Sequence, residues 1–282
     1  MKLKVLIEIP YVRLLLGVAL LVSSVCSFSS EHVVSGYIVA LSQAEKSNIS
    51  ISSDGKNKAA SLLMKVYQGD VVSVSEGATL TLKLAKQDFI VNTSNSPYTV
   101  SDGQVESSFF SRVVSWAEGI ASGAKSNGRA VYAASRGAPA ILNVKYLSFK
   151  ENNLSFLRNL DLEITSGEAP YRVHIASTNG QVIGGQRDIN TKAIRLENLG
   201  LSPGKFRLVV CDAHDCLSYP VDVYPAKELE EQQNMSSTII EALSKFEAGD
   251  SAYYLQAFQT LNRYRGLSPL VDGILENYEP TL

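Results

Sequence analysis

Two pieces of sequence decide the fold: Gly167-Glu168-Ala169-Pro170-Tyr171-Arg172-Val173-His174-Ile175 and Leu201-Ser202-Pro203-Gly204-Lys205-Phe206-Arg207-Leu208-Val209-Val210-Cys211-Asp212. In both pieces apolar and polar residues alternate behind a turn that contains proline or glycine. This pattern is typical of antiparallel strands that bury one face. In the first piece Arg172 and His174 fall on the polar side, which predicts that His174 is an exposed strand residue and not a ligand.

Further runs of the same kind surround these two pieces, and their turn spacing suits a β-sandwich. The dipeptide Asn179-Gly180 is a strong hairpin signal. The predicted strands are Ile141–Leu147, Leu157–Ile164, Tyr171–Ala176, Gln181–Ile183, Ala193–Leu196, Lys205–Val210 and Leu217–Tyr224. The pattern resembles the strand starts of immunoglobulin-like repeats in exported bacterial surface proteins. Residues 138–224 are therefore predicted to be an immunoglobulin-like β-sandwich, a module that presents surface.

Two cysteines, Cys211 and Cys216, flank a four-residue turn between two of these predicted strands. Strand pairing would place their sulfurs at facing positions across the mouth of a hairpin. We expect a disulfide there, because the chain carries an export signal, described next. The alternative is a metal site made of both cysteines and His214, although three ligands in one tight loop make a poor structural zinc site. Asp212 and Asp215 are interpreted as turn formers rather than cation ligands.

The N-terminus has the pattern of an exported protein. Three basic residues precede an apolar run at 14–22, and small residues follow it. This arrangement predicts a secretory signal peptide over residues 1–27. The run is short for a bilayer span, which needs roughly 20 apolar residues, but an uncleaved membrane anchor is one alternative and a lipoprotein modified at Cys26 is another. The predicted location is the periplasm or the cell envelope.

Residues 31–104 carry many short strand signals and few helix signals. A polar stretch, Ser42 to Lys58, separates the first two strand signals. The later motifs are Tyr67-Gln68-Gly69-Asp70-Val71-Val72, Gly77-Ala78-Thr79-Leu80-Thr81-Leu82-Lys83-Leu84 and Ser96-Pro97-Tyr98-Thr99-Val100. They resemble the periplasmic FecR domain. The resemblance implies a small all-β domain with an exported sensing or docking role. The sigma-factor-binding segment of FecR regulators is not carried over, because few residues precede the apolar run.

Helical spacing first appears between the two β regions. Apolar residues that would lie on one helix face are Val105, Phe109, Val113, Trp116 and Ile120. They predict an amphipathic helix that ends near Gly119 to Gly123. The Ala-, Gly- and Ser-rich residues that follow are typical of a linker. Residues 105–137 are thus predicted to be a helix and a linker.

Residues 225–282 are predicted to be a helical tail. One helix starts at Pro225 and ends at Gly249, a second is capped by Asp250, and a third starts at Ser268-Pro269. We interpret the tail as a cap docked on the sandwich, with partner binding as the alternative. The predicted fold class is mainly β, with a FecR-like domain, an immunoglobulin-like sandwich and a C-terminal α-helical segment.

The sequence contains no recognisable set of catalytic residues. The three histidines, His32, His174 and His214, do not adjoin the nucleophile patterns of known hydrolases. The chain has 26 basic and 28 acidic residues, so it lacks the excess of positive charge that is typical of proteins that bind nucleic acid. We therefore expect no enzyme activity, no catalytic or cofactor-binding residue, no metal, no cofactor and no nucleic-acid partner.

The predicted function is that of a non-enzymatic exported envelope protein, which docks, senses or scaffolds. Its expected partner is an envelope or inner-membrane protein, and membrane contact is expected only through an uncleaved N-terminal segment. The alternative is a carbohydrate- or cell-wall-binding module, since sandwiches often bind glycans through exposed aromatic residues. Trp116, the single tryptophan, is the candidate for such stacking, although a core contact is its ordinary role. A hydrolase is the third hypothesis.

Overall fold

The structure is a computed structural model and describes residues 33–42, 48–85, 87–101, 108–124, 141–155, 158–225 and 235–280. The predicted signal peptide over residues 1–27 lies outside these ranges. So do Val105, most of the predicted linker and residues 226–234 of the helical tail. The described part is mainly β, which confirms the predicted fold class, with helices between and after the two β regions.

Alternating residues near the N-terminus form two four-stranded sheets. In Thr79–Leu84, for example, Leu80 and Leu82 are buried while Thr79 and Lys83 are exposed. The strands are β1 (Val34–Leu41), β2 (Ile49–Ser53), β3 (Lys56–Ala59), β4 (Lys65–Tyr67), β5 (Val71–Val74), β6 (Thr79–Leu84), β7 (Asp88–Asn92) and β8 (Tyr98–Thr99). One sheet has the order β4-β1-β6-β7 and the other the order β3-β2-β5-β8. Their inner faces share one apolar core.

Two details of this region differ from the sequence-based prediction. The polar stretch between the first strand signals contains a hairpin, because Ile49 and Ile51 alternate with serines and bury in the core at 3% and 1% exposure. Its turn is formed by Asp54 and Gly55, both with positive φ. The apolar-rich run at 62–67 has the composition predicted for a strand, but it becomes one only at Lys65, since Leu63 adopts a φ of 65° that breaks the extended backbone.

The second β region is a sandwich of a five-stranded and a three-stranded sheet. Its strands are β9 (Asn143–Val144), β10 (Asn153–Ser155), β11 (Leu160–Ser166), β12 (Tyr171–Ser177), β13 (Val182–Ile189), β14 (Ala193–Leu196), β15 (Gly204–Cys211) and β16 (Cys216–Tyr224). The sheet orders are β10-β16-β15-β12-β13 and β14-β11-β9. Apolar residues of both sheets pack into a single core, as a sandwich requires.

All seven predicted strands of the sandwich are present, but their lengths differ. The first shrinks to β9, because Tyr146 turns the chain with a φ of 67°. The prediction for Gln181–Ile183 was too short, since β13 continues to Ile189 across two glycines. Strand β10 was not predicted, because three residues give no usable alternation; it pairs with β16 in parallel.

Four α-helices lie in the described residues: α1 (Phe109–Ala121), α2 (Met235–Ala248), α3 (Tyr254–Asn262) and α4 (Pro269–Asn277). Ser108 caps α1 in a capping box with Ser111. Asp250 was predicted to cap the second tail helix directly. It caps instead the short 3-10 turn Ser251–Tyr253 that leads into α3, through a 3.1 Å bond from the Ala252 backbone N–H.

Helices from the middle and from the end of the chain share one core. Helix α1 packs on α4 and α2, and the aromatic rings of Tyr146, Phe246 and Tyr278 stack inside this layer. Tyr37, Leu62 and Leu63 of the first β region belong to the same apolar cluster. The tail therefore packs against parts of the chain that are far away in sequence.

Helix α3 attaches the tail to the sandwich. Gln259 accepts a 2.9 Å bond from the Asp161 backbone N–H and donates a 2.6 Å bond to the Asp161 carbonyl, while Leu255 enters the sandwich core. The described residues from Val34 onward form one compact unit. Within the described ranges, no helix is both long enough and apolar enough to cross a membrane.

Candidate interaction face

The polar side of strand β12 is the starting point of the candidate site. Tyr171, Val173 and Ile175 point into the sandwich core and are buried. Arg172 on the other side is exposed, and His174 is half-buried. The alternation in the sequence correctly predicted that Arg172 and His174 lie on the outer face of the five-stranded sheet, but His174 is half-buried and not exposed as predicted.

Strand β13 lies at the edge of this sheet, and β12 is its one paired neighbour among the described strands. In the β12–β13 register His174 faces Gly185 and Ile175 faces Gly184. The register shifts twice along the pair, and at one of these irregularities Asp188 adopts a φ of 56°. Such bulges re-aim side chains and are common at sheet edges and near sites.

Close packing requires the two adjacent glycines of β13. A Cβ on Gly185 would lie 2.5 Å from the Val173 carbonyl oxygen and 2.7 Å from the Cβ of His174. A Cβ on Gly184 would lie 2.8 Å from Leu199. The two glycines therefore allow β13 to pack closely against β12 and Leu199, while Gly185 itself is exposed to solvent.

Arg172, His174 and Arg187 line a shallow cleft of about 540 Å³ on the outer face, which we call the outer cleft. The remaining lining residues are uncharged: Val173, Val182, Ile183, Gly184, Gly185 and Gln186. Neither arginine forms an ion pair with another described residue. The pKa of His174 is lowered by burial and then by the positive charges of Arg172 and Arg187. The outer cleft is therefore suited to an anionic group.

A second cleft, of about 440 Å³, lies beside the same stretch of β13 and is called the side cleft. It is lined by Gly185, Gln186, Arg195, Leu196 and Glu197, so that it touches β14 of the opposite sheet. Here the charges are mixed, and the Arg195 Nε lies 3.6 Å from Asp161 Oδ1. Since Gly185 and Gln186 line both clefts, β13 can be reached from two directions.

The disulfide predicted between Cys211 and Cys216 is present and joins β15 to β16 at the mouth of their hairpin. Both sulfurs are used by this bond, which favours the disulfide over the metal alternative that includes His214. The Arg172 guanidinium lies 3.6 Å from Cys211 Sγ and 3.9 Å from Cys216 Sγ. The disulfide therefore borders the candidate site and helps to position one of its two arginines.

The turn between the cysteines is organised by Asp212. Its Oδ1 accepts bonds of 2.8 and 2.7 Å from the backbone N–H groups of His214 and Asp215. Burial would raise the pKa of Asp212, but hydrogen bonds from the backbone of Asp215, His214 and Glu168 lower it. Asp212 thus acts as a turn former, as predicted, and Asp215 contributes its backbone N–H to the same turn.

Glu168 connects this turn to the start of β12. His214 Nε2 lies 2.9 Å from Glu168 Oε2, and this hydrogen bond is the main reason that the pKa of His214 is raised. The pair is exposed to solvent. Across the described residues, no group of three or more His, Cys, Asp or Glu side chains is placed to hold a metal ion.

Trp116, the candidate for glycan stacking, lies in the helical layer. Its ring is half-buried, packs against the helical core and meets Tyr278 edge-on at 5.9 Å between centroids. The core contact expected for this residue is therefore observed. The carbohydrate-binding alternative then depends on other aromatic residues.

Sequence reasoning did not find the outer cleft. It identified Arg172 and His174 only as the polar side of a strand, and it ended the next strand before Gly184, Gly185 and Arg187. The Gly-Gly pair inside a run flanked by apolar residues was the available signal, because glycine in a strand often marks a bulge or a close approach.

Comparison with known proteins finds no family whose pattern matches the chain and no curated relative. Several solved structures match the chain, and the two described next show only weak similarity. A Salmonella alpha-2-macroglobulin shares 8% identity over 68% of this chain and 11% of its own length, with a TM-score of 0.24. The BSP domain of a biofilm-associated protein shares 9% identity over 64% of this chain and 25% of its own, with a TM-score of 0.21. This chain thus spans a small part of both, and neither similarity identifies a family.

Proposed function

We propose that this chain is a non-enzymatic exported envelope protein that docks another protein on the β12–β13 face, as a sensing or scaffolding component. The observation that carries the proposal is the edge strand β13, which has no paired strand on its outer side among the described residues and lies beside Arg172 and Arg187 in the outer cleft. Exposed sheet edges of this kind recognise extended protein segments through main-chain hydrogen bonds.

Export is supported by two independent features. The N-terminal sequence has the order of basic, apolar and small residues found in secretory signals. The Cys211–Cys216 disulfide is typical of proteins that fold in an oxidising compartment. A periplasmic or envelope location agrees with both. The resemblance of residues 31–104 to the FecR domain adds support for a sensing or docking role.

The chemistry of the site supports binding rather than catalysis. The polar side chains of the outer cleft are arginine, histidine and glutamine, which are suited to holding carboxylates and amides. Both clefts are shallow and open along the strand, as expected for a protein partner. The expected partner is an envelope or inner-membrane protein.

Site-specific photo-crosslinking in the native envelope tests this role. A photoreactive amino acid at Gln186 lies between the two clefts, and we expect it to capture a defined partner. The photoreactive amino acid placed instead at Lys58, on the exposed edge strand β3, is the matched control. Capture at Gln186 should decrease when Arg187→Glu is added. Equal capture at both positions, or none at Gln186 in a correctly folded protein, would contradict the docking role.

A further inference from the structure

We infer that the partner supplies an extended segment that adds to the sheet as one more strand beside β13, with acidic side chains directed toward the outer cleft. This inference rests on the proposed docking role and specifies the partner's chemistry. It follows from the backbone edge, the space around it and the charges next to it.

The first argument is the open backbone edge. Strand β13 is eight residues long and terminates the five-stranded sheet. Its hydrogen-bonding groups on the side away from β12 meet no paired strand among the described residues. An edge of this length is a template for another strand, because each added residue satisfies backbone groups that otherwise face water.

The second argument is space. Side chains of an added strand alternate between the two faces of the sheet. The outer cleft and the side cleft both meet β13 at Gly185 and Gln186, so there is room on each side of the edge at the same position.

The third argument is charge complementarity. Arg172 and Arg187 line the outer cleft without an ion pair to any other described residue, whereas Arg195 of the side cleft is already close to Asp161. A guanidinium binds a carboxylate through two parallel hydrogen bonds, which gives both energy and geometry. An acidic side chain on the outer face would therefore meet two guanidinium groups that form no ion pair with another described residue.

The fourth argument concerns apolar contacts. Val182 and Ile183 begin β13 and are 58% and 39% exposed. They offer contact area to apolar side chains of the incoming segment. A segment in which apolar and acidic residues alternate therefore fits the edge better than a uniformly acidic one.

A comparison with strand β3 shows that the first five residues of the β13 edge carry no charge, since the charged residues of β13 are Arg187 and Asp188. All four residues of β3 are exposed, and the charges of Lys56 and Lys58 disfavour pairing of that edge with another strand. Strand β13 lacks such protection at Gly184 and Gly185. A second copy of this chain is a poor occupant, because pairing β13 with itself would bring both copies' arginines to one edge.

The test uses the mature protein and a fluorescent peptide of about ten residues in which valine and glutamate alternate. Fluorescence anisotropy should show saturable binding that weakens as salt is raised, since the contact is partly electrostatic. Arg187→Glu should raise Kd by about tenfold or more, because it replaces an attraction by a repulsion. Lys56→Glu makes the same charge change on the β3 edge and should leave Kd unchanged.

Two further peptides separate charge from strand pairing. A version with lysine in place of glutamate should not bind. A version with N-methylated backbone amides keeps the carboxylates but cannot complete the ladder, so its Kd should also increase at least tenfold. Equal affinity for the N-methylated and the parent peptide would overturn the added strand, and equal affinity for the lysine peptide would overturn the acidic partner.

The outcomes also distinguish this inference from the proposed function. If no peptide binds while crosslinking at Gln186 still captures a partner, the docking role stands and the acidic strand is wrong. If the free protein dimerises and Arg187→Glu strengthens the dimer, a second copy is the occupant and the inference is overturned. Where Arg187→Glu lowers the melting temperature, Arg187→Gln removes the charge with less disturbance and should still raise Kd.

Discussion

At the scale of single residues, burial determines how two tyrosines titrate. Tyr37 and Tyr219 are 3% and 1% exposed. Burial raises the pKa of each to about 12, and the carboxylate of Glu118 adds to the shift at Tyr37. The unfolded-state pKa is about 10. The neutral phenols therefore stabilise the fold fully below pH ~10, and this contribution is lost as the pH rises through about 12.

We expect the melting temperature to fall between pH ~10 and ~12. The phenolate absorbance of the folded protein should show a group of tyrosines that titrate late, and Tyr37 and Tyr219 belong to it because burial raises their pKa to about 12. Burial also raises the pKa values of Tyr146, Tyr171 and Tyr278, so these three add to the group. Tyr219→Phe removes one titrating group, so its melting temperature should fall less steeply over the same window than that of the parent. Tyr224, which is 49% exposed, provides a matched control as Tyr224→Phe and should leave the slope unchanged. If the melting temperature depends on pH with the same slope in Tyr219→Phe and in the parent, the raised pKa of Tyr219 is contradicted.

At the scale of elements, the crossing of α1 and α4 depends on one small residue. A Cβ on Gly273 would lie 2.6 Å from the Cβ of Ala121 and 3.1 Å from its Cα. Gly273→Ala must therefore push the two helices apart or distort them. We expect the free energy of unfolding to decrease by about 1–3 kcal/mol, the usual cost of overpacking, even though alanine favours helix. Chemical denaturation measures the change.

Two controls isolate the steric cause in this helix pair. Gly200→Ala adds the same methyl group where nothing lies within 4 Å, and it should change stability little. Combining Ala121→Gly with Gly273→Ala exchanges the two side chains across the contact. The combination should be more stable than the sum of the two single changes predicts. If the effects of the two single substitutions on the free energy of unfolding simply add, the contact between positions 121 and 273 is not the cause of the lost stability.

At the scale of the whole molecule, the helical layer connects the two β regions. Ser268 Oγ donates a 2.9 Å bond to the Leu62 carbonyl, and Asn277 Nδ2 donates a 3.0 Å bond to the Ala121 carbonyl. Limited proteolysis is expected to cut in the Ala-, Gly- and Ser-rich stretch near 125–137, because its composition is typical of a linker. The resulting fragments should nevertheless remain associated, since the buried contacts of α1 with α2 and α4 span the cut.

Size-exclusion chromatography of the nicked protein measures this association, and mass spectrometry identifies the two fragments in one peak. Removing residues 235–282 is the matched comparison, because it deletes the partners of α1. We expect that truncation to weaken or abolish association after the same cut. Fragments of the full chain that separate at once in native buffer would contradict a shared helical core.

Features that depend on the local pattern of residues could be predicted from the amino-acid sequence. Strands β6 and β14 were predicted to the residue, because apolar and polar side chains alternate without interruption in Thr79–Leu84 and Ala193–Leu196. The cysteine pair was predicted from two strands joined by a short turn. The end of α1 near Ala121 and the start of α4 at Pro269 were predicted from local composition and from the residues typical of helix ends. In each case the physical cause lies within a few residues of the feature.

Contacts between residues that are distant in sequence could be seen only in the tertiary structure. It brought Arg187 beside Arg172, because strand register and two bulges set the outer face of β13. It also placed α1 against α4, where Gly273 and Ala121 touch across about half of the chain. These contacts depend on how whole elements pack and pair, which alternation along a single strand or helix does not encode. The candidate interaction face therefore became visible only when the sheet edge was assembled.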